Sequence, residues 1–302
     1  MRSPKETCVS ILIVNYNRRE DLERCLHSIY AAEPDVFYQI VVVDNASNDG
    51  SVAMIKGSYP TVVLIENENN VGLVKAYNQA LTVGDSKYVM LLDSDTIVEE
   101  GAVSRQYAFL DGNPDVTVLQ PKLLNSDGTN QKTARMFPSP ANALFGRHSI
   151  LSRRFPRNPW TTRYLRNSLH ESKEPYEVDW VSFACTMFRR SILDHTGFFD
   201  EDYFVYWIDA DWCKRVKDAG GRVFCLPSAT VHHLESNQPH RKKTPRSIVD
   251  FHHGVYLFYT KHYVKSVLHP MRWAAGLGLS FRALLLLSQN QFKPSWSVRR
   301  NA

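Results

Sequence analysis

The chain has no Gly-x-Gly-x-x-Gly turn and no Walker loop, so the usual phosphate cradles of nicotinamide and P-loop proteins are missing. It has no Cys-x-x-Cys pair either. Cys8, Cys25, Cys185, Cys213 and Cys225 are odd in number and far apart, which suggests neither a zinc site nor a disulfide framework and fits a reducing cytosol. No signal-peptide pattern precedes the apolar run that begins near Val9. The longest apolar stretch, residues 273–287, contains Arg282 and is short for a membrane span. Acid is almost missing from the end of the chain, where residues 241–302 hold 11 Lys/Arg and only Asp250. The other 240 residues carry 25 basic and 30 acidic side chains, so the net charge of +5 comes from this tail. Such a tail suits a phosphate-rich partner, either an anionic membrane or a nucleic acid.

What is present is a large core. At 302 residues and 43% hydrophobic, the chain suits one large α/β domain with appendages as well as two domains. Residues 8–14, 40–43, 62–65, 88–92 and 116–119 read as strands, near-continuously apolar as buried parallel strands are. Between them lie helical patterns, the first with Leu22, Cys25, Leu26, Ile29 and Tyr30 on one face and the second over residues 71–83. This rhythm predicts a doubly wound, mostly parallel sheet whose ligands sit beyond the carboxyl ends of the strands. The polar clusters fall at those ends: Asn15-Tyr16-Asn17, Asp44-Asn45, residues 67–70 and Asp93-Ser94-Asp95. Residues 138–175, with five prolines and six arginines, read as a basic surface loop or lid. Beyond it, residues 181–188 read as a strand, 209–219 as a helix ended by Gly220-Gly221, and 222–226 as a short strand leading to His232-His233.

Each cluster admits a bland reading and a chemical one. Asp93-Ser94-Asp95 is either a solvated turn or a pair of carboxylates that repel unless a cation such as Mg2+ or Mn2+ sits between them. Asp44 either caps a turn or accepts hydrogen bonds from a nucleobase or ribose. Asp209 shares the inward side of its helix with Trp212, Cys213 and Val216, whereas Asp211 is expected to point outward. Both are favourable helix-N-terminal acids, and Asp209 is also placed to be a general base with Glu201, Asp202 and the Asp93-Asp95 pair as charged neighbours. His232 or His233 could complete a metal shell, or either could be an ordinary core or surface histidine.

Taken together these residues resemble the inverting family 2 glycosyltransferases of the GT-A fold, and among them the bacterial rhamnosyltransferase-like group. The likeness begins at residues 9–17, continues through 43–47, Asn70-Val71-Gly72 with Asn78, and 91–95, and resumes at 180–185 with Arg189-Arg190. Its most specific stretch is residues 197–201 with 206–211, followed by Gly220 and Pro227 to His233. The resemblance implies that Asn15, Tyr16, Asn17, Asp44, Asn45, Asn70, Gly72, Asn78, Asp93 and Ser94 bind a nucleotide sugar. It implies Asp209 as general base, Trp180 and Asp211 on the acceptor side, and a divalent metal, Mg2+ or Mn2+, on Asp95, Asp93 and His233, with His232 as the alternative. Three positions depart from the family pattern: Ile208 in place of Glu, Phe183 in place of Gly, which is expected to narrow the acceptor pocket, and Tyr77 in place of Arg.

The expected organisation is a GT-A catalytic domain over residues 1–240, with a nucleotide-binding half (1–120) and an acceptor half (121–240). A basic, apolar helical tail follows over 241–302. The expected reaction moves a sugar from a dTDP- or UDP-linked donor to a glycan or polyprenyl-diphosphate-linked acceptor. The expected place is the cytoplasmic face of the membrane, held peripherally through the tail. The tail's other readings are a helix pair packed on the catalytic domain or the interface of a homo-oligomer, and nucleic acid is not expected. A sugar-nucleotide pyrophosphorylase and a binding module without catalysis are the rival readings. The first lacks its Gly-rich loop here, and the second draws on Ile208.

Overall fold

The computed structural model describes residues 8–32, 35–137, 169–234 and 244–291, with Arg154 between them. Most of the 138–175 loop, the 241–243 cations and the last eleven residues therefore lie outside the described residues. Among the described residues nine strands form one sheet: β1 (Val9–Asn15), β2 (Tyr38–Asp44), β3 (Val63–Glu66), β4 (Tyr88–Asp93), β5 (Thr96–Val98), β6 (Val116–Leu124), β7 (Tyr176–Val178), β8 (Cys185–Arg189) and β9 (Arg222–His233). The helices are α1 (Arg19–Ala31), α2 (Ser51–Ser58), α3 (Leu73–Val83), α4 (Ala102–Gly112), the single turn α5 (Leu193–Thr196), α6 (Ile208–Asp218), α7 (Pro245–His262) and α8 (Pro270–Gln291).

The strand order is β3-β2-β1-β4-β8-β6-β9-β5, with β7 paired to β9. The first four strands are parallel, as their apolar runs require, because both faces are covered. Alternate residues of β1 serve different cores. Val9, Ile11 and Ile13 pack under Leu22, Leu26 and Ile29 of α1, while Leu12 packs under Val74, Tyr77 and Leu81 of α3. Tyr30 does not join the α1 core face. It is exposed, stacks on Tyr59 and bonds Thr61, because it falls at the edge of the apolar stripe.

The second half mixes directions, since β8 runs antiparallel to β4 and β6 while β6 and β9 are parallel. Element boundaries here differ from the sequence reading. Residues 181–184 precede β8 instead of belonging to it, and β9 runs on through the two histidines where a short strand was expected. The three-residue β5 leaves no periodicity to read; its role is to pair antiparallel with the end of β9, setting Thr96 opposite His233.

Candidate functional site

Register and topology bring the strand ends together. Asn15 lies beside Asp44 and Val14 beside Asp93 in the parallel half. The chain then turns through buried Ser94 and Asp95 into β5, whose pairing with β9 delivers His233. Nε2 of His233 lies 3.2 Å from Oδ1 of Asp95 and 3.7 Å from Oδ2 of Asp93. Ligand atoms of Asp93, Asp95 and His233 all fall within 4.8 Å of one another. Neighbouring residues of a strand face opposite ways, so His232 turns to Glu99 instead, at 2.7 Å.

The donor set fits a divalent cation. Gln131 grips His233 twice, its Oε1 3.2 Å from Nδ1 and its amide nitrogen donating to the His233 carbonyl at 2.9 Å. With Nδ1–H given to Gln131, Nε2 presents a lone pair toward two carboxylates, an arrangement favourable only with a proton or cation among them. Burial and the nearby Asp95 charge push Asp93 up to about 6, against the opposing pull of His233 and Arg18. For Asp95, burial is outweighed by His233 and by Arg18, 3.7 Å away, and its pKa is lowered. Gln131 and Arg18 had no motif to announce them. Gln131 sits in an irregular stretch after β6, and Arg18 only follows the Asn-Tyr-Asn cluster.

The ends of β1 and β2 and the segment before α3 carry a wall of linked side-chain amides. Asp44 is 1% exposed; one of its oxygens takes the Asn15 amide at 2.9 Å and the other the Ser47 N–H at 2.7 Å. Oδ1 of Asn15 is buried with no hydrogen-bond partner among the described residues. Asn17 adopts a left-handed backbone (φ 52°), exchanges hydrogen bonds with the Ser47–Asn48 turn, and leaves Tyr16 about half exposed beside it. Asn45 donates to the Gly72 carbonyl and accepts from Asn67. Asn70 accepts the Gly72 N–H. Gly72 is required twice over: its φ is 90°, and a Cβ would stand 2.7 Å from the Phe204 ring. Asn78 is not at this wall. Both ends of its amide bond the Phe199 backbone, so it fastens α3 to the loop before α6.

Asp209 lies in the first turn of α6, and burial raises it to about 6; the Ala210 N–H and Arg135 pull down and the charge of Asp93 adds to the rise. The charge of Asp93 is thus among those that act on Asp209, as the smallest of its influences. Glu201 and Asp202, the other expected charged neighbours, are exposed and pair with Lys75 and Lys261. Asp211 corrects the expectation of an outward-pointing group. It is 1% exposed and bonds Tyr203 Oη, Arg215 Nε and His262 Nε2. Those partners overcome the cost of burial and lower its pKa. Spacing along α6 could not foresee His262, 51 residues on. Trp180 is also nearly buried, its indole N–H bonded to Met136 O and its face under the Arg135 guanidinium.

The three departures all lie in the core. Tyr77 and Phe183 meet edge to face and join Phe199 and Trp212, so Phe183 fills the core and does not narrow a pocket. Ile208 is buried with the same cluster. A hydrophobe there packs where a carboxylate would be desolvated without a partner.

Comparison with known proteins completes the picture. Residues 10–197 match the sequence profile of glycosyl transferase family 2. The chain is 30% identical over 290 residues to the N-acetylglucosaminyl-diphospho-decaprenol L-rhamnosyltransferase of Mycobacterium tuberculosis, covering 92% of each. It is 21% identical over 248 residues to a low-salt glycan biosynthesis hexosyltransferase of Haloferax volcanii, covering 80% of this chain and 73% of that one. The mannosyltransferase PcManGT from Pyrobaculum calidifontis, solved with GDP-Man and Mn2+, superposes with a TM-score of 0.58 at 17% identity, over 95% of this chain and 73% of that one. S. aureus TarS 1-349 with UDP-GlcNAc gives 0.57 at 16%, over 95% and 72%. At these identities the structural likeness speaks for the fold.

Proposed function

The chain belongs to glycosyl transferase family 2 and has the GT-A fold, and from that premise we propose a metal-dependent, inverting transfer of rhamnose from a dTDP- or UDP-linked donor to a polyprenyl-diphosphate-linked glycan. The observation that carries this reading is the pairing of two features. Asp93, Asp95 and His233 converge on a cation-sized space, and Asp209, a raised carboxylate, feels the charge of Asp93. Oxygen ligands with one imidazole suit Mn2+ or Mg2+. The ion, when bound, neutralises the leaving nucleoside diphosphate.

The residues of the chain divide the remaining work. Asn15 and Asp44 offer acceptors to a pyrimidine N3–H, which the partnerless Oδ1 of Asn15 favours, while Tyr16 lies against the base. Gly72 and Asn45 keep the backbone close to the donor. Asp93 reaches the sugar or ribose as well as the ion, and Ser94 sets the turn between the two carboxylates. Asp209 receives the acceptor hydroxyl proton. With a base on one face and the diphosphate on the other, a single displacement inverts the anomeric centre. The lipid part of the acceptor, suggested by the decaprenol-linked substrate in the name of the mycobacterial relative, puts the protein peripherally on the cytoplasmic membrane face. No helix among the described residues is long and apolar enough to cross a membrane.

Asp209→Asn tests the assignment. Transfer should fall by roughly 10²–10⁴-fold, the usual worth of a general base. Metal-dependent thermal stabilisation by the donor should persist. Near-normal turnover in this variant removes Asp209 from the mechanism.

A further inference from the structure

Helix α8 rests on α7 through one narrow side, where Ala275, Leu279, Ala283 and Leu286 are half-buried and Asn290 is buried. Its Arg282 meets His252 at 2.9 Å and its Arg272 meets Tyr256 Oη at 3.3 Å, fixing the roll of the helix. The opposite side is apolar and open. Trp273, Leu277, Phe281 and Leu284 follow one another at helical spacing and are 66%, 74%, 70% and 66% exposed. No charged residue falls between Trp273 and Phe281. Val267 and Leu268, in the connection before the helix, extend the same exposure. Single exposed hydrophobes are ordinary on a soluble surface, but a contiguous stripe is not.

We infer that α8 is an interfacial docking helix whose Trp273–Leu277–Phe281–Leu284 face seats in the surface of an anionic membrane. The helix is 22 residues long and does not qualify as a span, so it lies in the interface. Charge selects the occupant. Residues 251–302 contain seven Lys/Arg and no acid, and of these cations Lys261 is neutralised by Asp200 and Asp202 of the body. Neither Arg272 nor Arg282 meets a carboxylate among the described residues. A second copy docked on this face would bring two such cationic segments together, whereas anionic headgroups complement them. The rim cations can stay at headgroup level while the apolar stripe sinks below it. This use of α8 rests on the lipid-linked acceptor proposed above, while donor binding in solution is independent of it.

The test is flotation of the full chain with vesicles of phosphatidylcholine alone and of phosphatidylcholine mixed with phosphatidylglycerol. The parent chain should float with the mixed vesicles and far less with the neutral ones. Leu277→Glu combined with Phe281→Glu should reduce the bound fraction about tenfold or more, because both side chains lose apolar burial and gain charge. Both positions are solvent-facing, so the melting temperature and the Mn2+-dependent protection by donor should not change. Docking is overturned if the parent ignores anionic vesicles, if it binds neutral vesicles equally well, or if the double variant floats as the parent does. It is equally overturned if light scattering finds a dimer that the double variant dissolves into monomers. Absence of donor protection in the parent would count against the transferase reading alone.

Discussion

The desolvation that raises the Asp209 carboxyl to about 6 also costs the fold. Its pKa of about 6 lies above the unfolded value near 3.9, so the folded chain holds this proton the more tightly. The ionised carboxylate therefore destabilises the fold above about pH 6, and the penalty disappears as pH falls below about 4. Asp209→Asn, whose side-chain oxygen can still accept the Ala210 N–H, should accordingly be more stable than the parent at pH 7 by about 1–3 kcal/mol. Thermal melts should show that gain at pH 7 and none at pH 4. The parent's transfer rate, at saturating metal and donor, should drop about tenfold per pH unit below about 6. Gln131 calls for a different experiment. Gln131→Leu keeps the bulk but frees the His233 ring, and calorimetric titration should show Mn2+ affinity weakened about 10–100-fold. Of these residues, Asp93, Asp95 and Asp209 were legible in the sequence because strand ends and helix starts announce themselves locally. Gln131 and the inward turn of Asp211 were not, since each depends on a partner from a distant element: β9 for one, α7 for the other.

At the scale of elements, α7 acts as a clamp on the start of α6. Trp207, two residues before Asp209, has a left-handed backbone (φ 73°), a costly conformation for a bulky residue. The rings of Phe251 and Phe258 pack against it from α7. His262 holds Asp211 at 2.8 Å, and Lys261 pairs with Asp200 and Asp202. The approach is close enough to require glycine: a Cβ on Gly254 would stand 2.8 Å from the Tyr206 carbonyl oxygen. Inside an ordinary helix Gly→Ala stabilises by about 1 kcal/mol. Here Gly254→Ala should do the reverse, lowering the melting temperature and lowering kcat more than the KM for donor, because the displaced loop carries Asp209 and not the amide wall of Asn15, Asp44 and Asn45. Calorimetry and steady-state kinetics on the same preparation check both signs. The parallel half of the sheet could be read in advance from its apolar runs and the turns between them. β5 could not, being three residues long, and neither could the full length of β9, whose second half alternates with half-buried and polar positions beside the cleft.

For the whole molecule the question is where the catalytic body ends. A reading from charge alone puts the boundary at residue 241, because the basic excess starts there. Packing puts it later. Ile248 and Phe258 of α7 are buried against the body, and Phe258 belongs to the same core cluster as Trp212 and Ile208. Deleting α7 would remove Phe258 from the core, where losing a buried Phe to Ala alone typically costs about 3–5 kcal/mol, and would leave Asp211 without His262. Helix α8 contributes nothing comparable, since of its residues only Asn290 is buried. Two truncations should therefore behave oppositely. A chain ending before Pro245 should lose cooperative unfolding and donor protection together, as an enzyme robbed of part of its core. A chain ending after Lys265 should melt near the parent temperature, keep Mn2+-dependent donor protection, and fail to float with anionic vesicles. If the shorter chain instead folds and binds donor as the parent does, the clamp assigned to α7 is wrong and the tail is a single appendage. The charge boundary and the packing boundary differ because charge records what the surface meets, whereas burial records what the core needs.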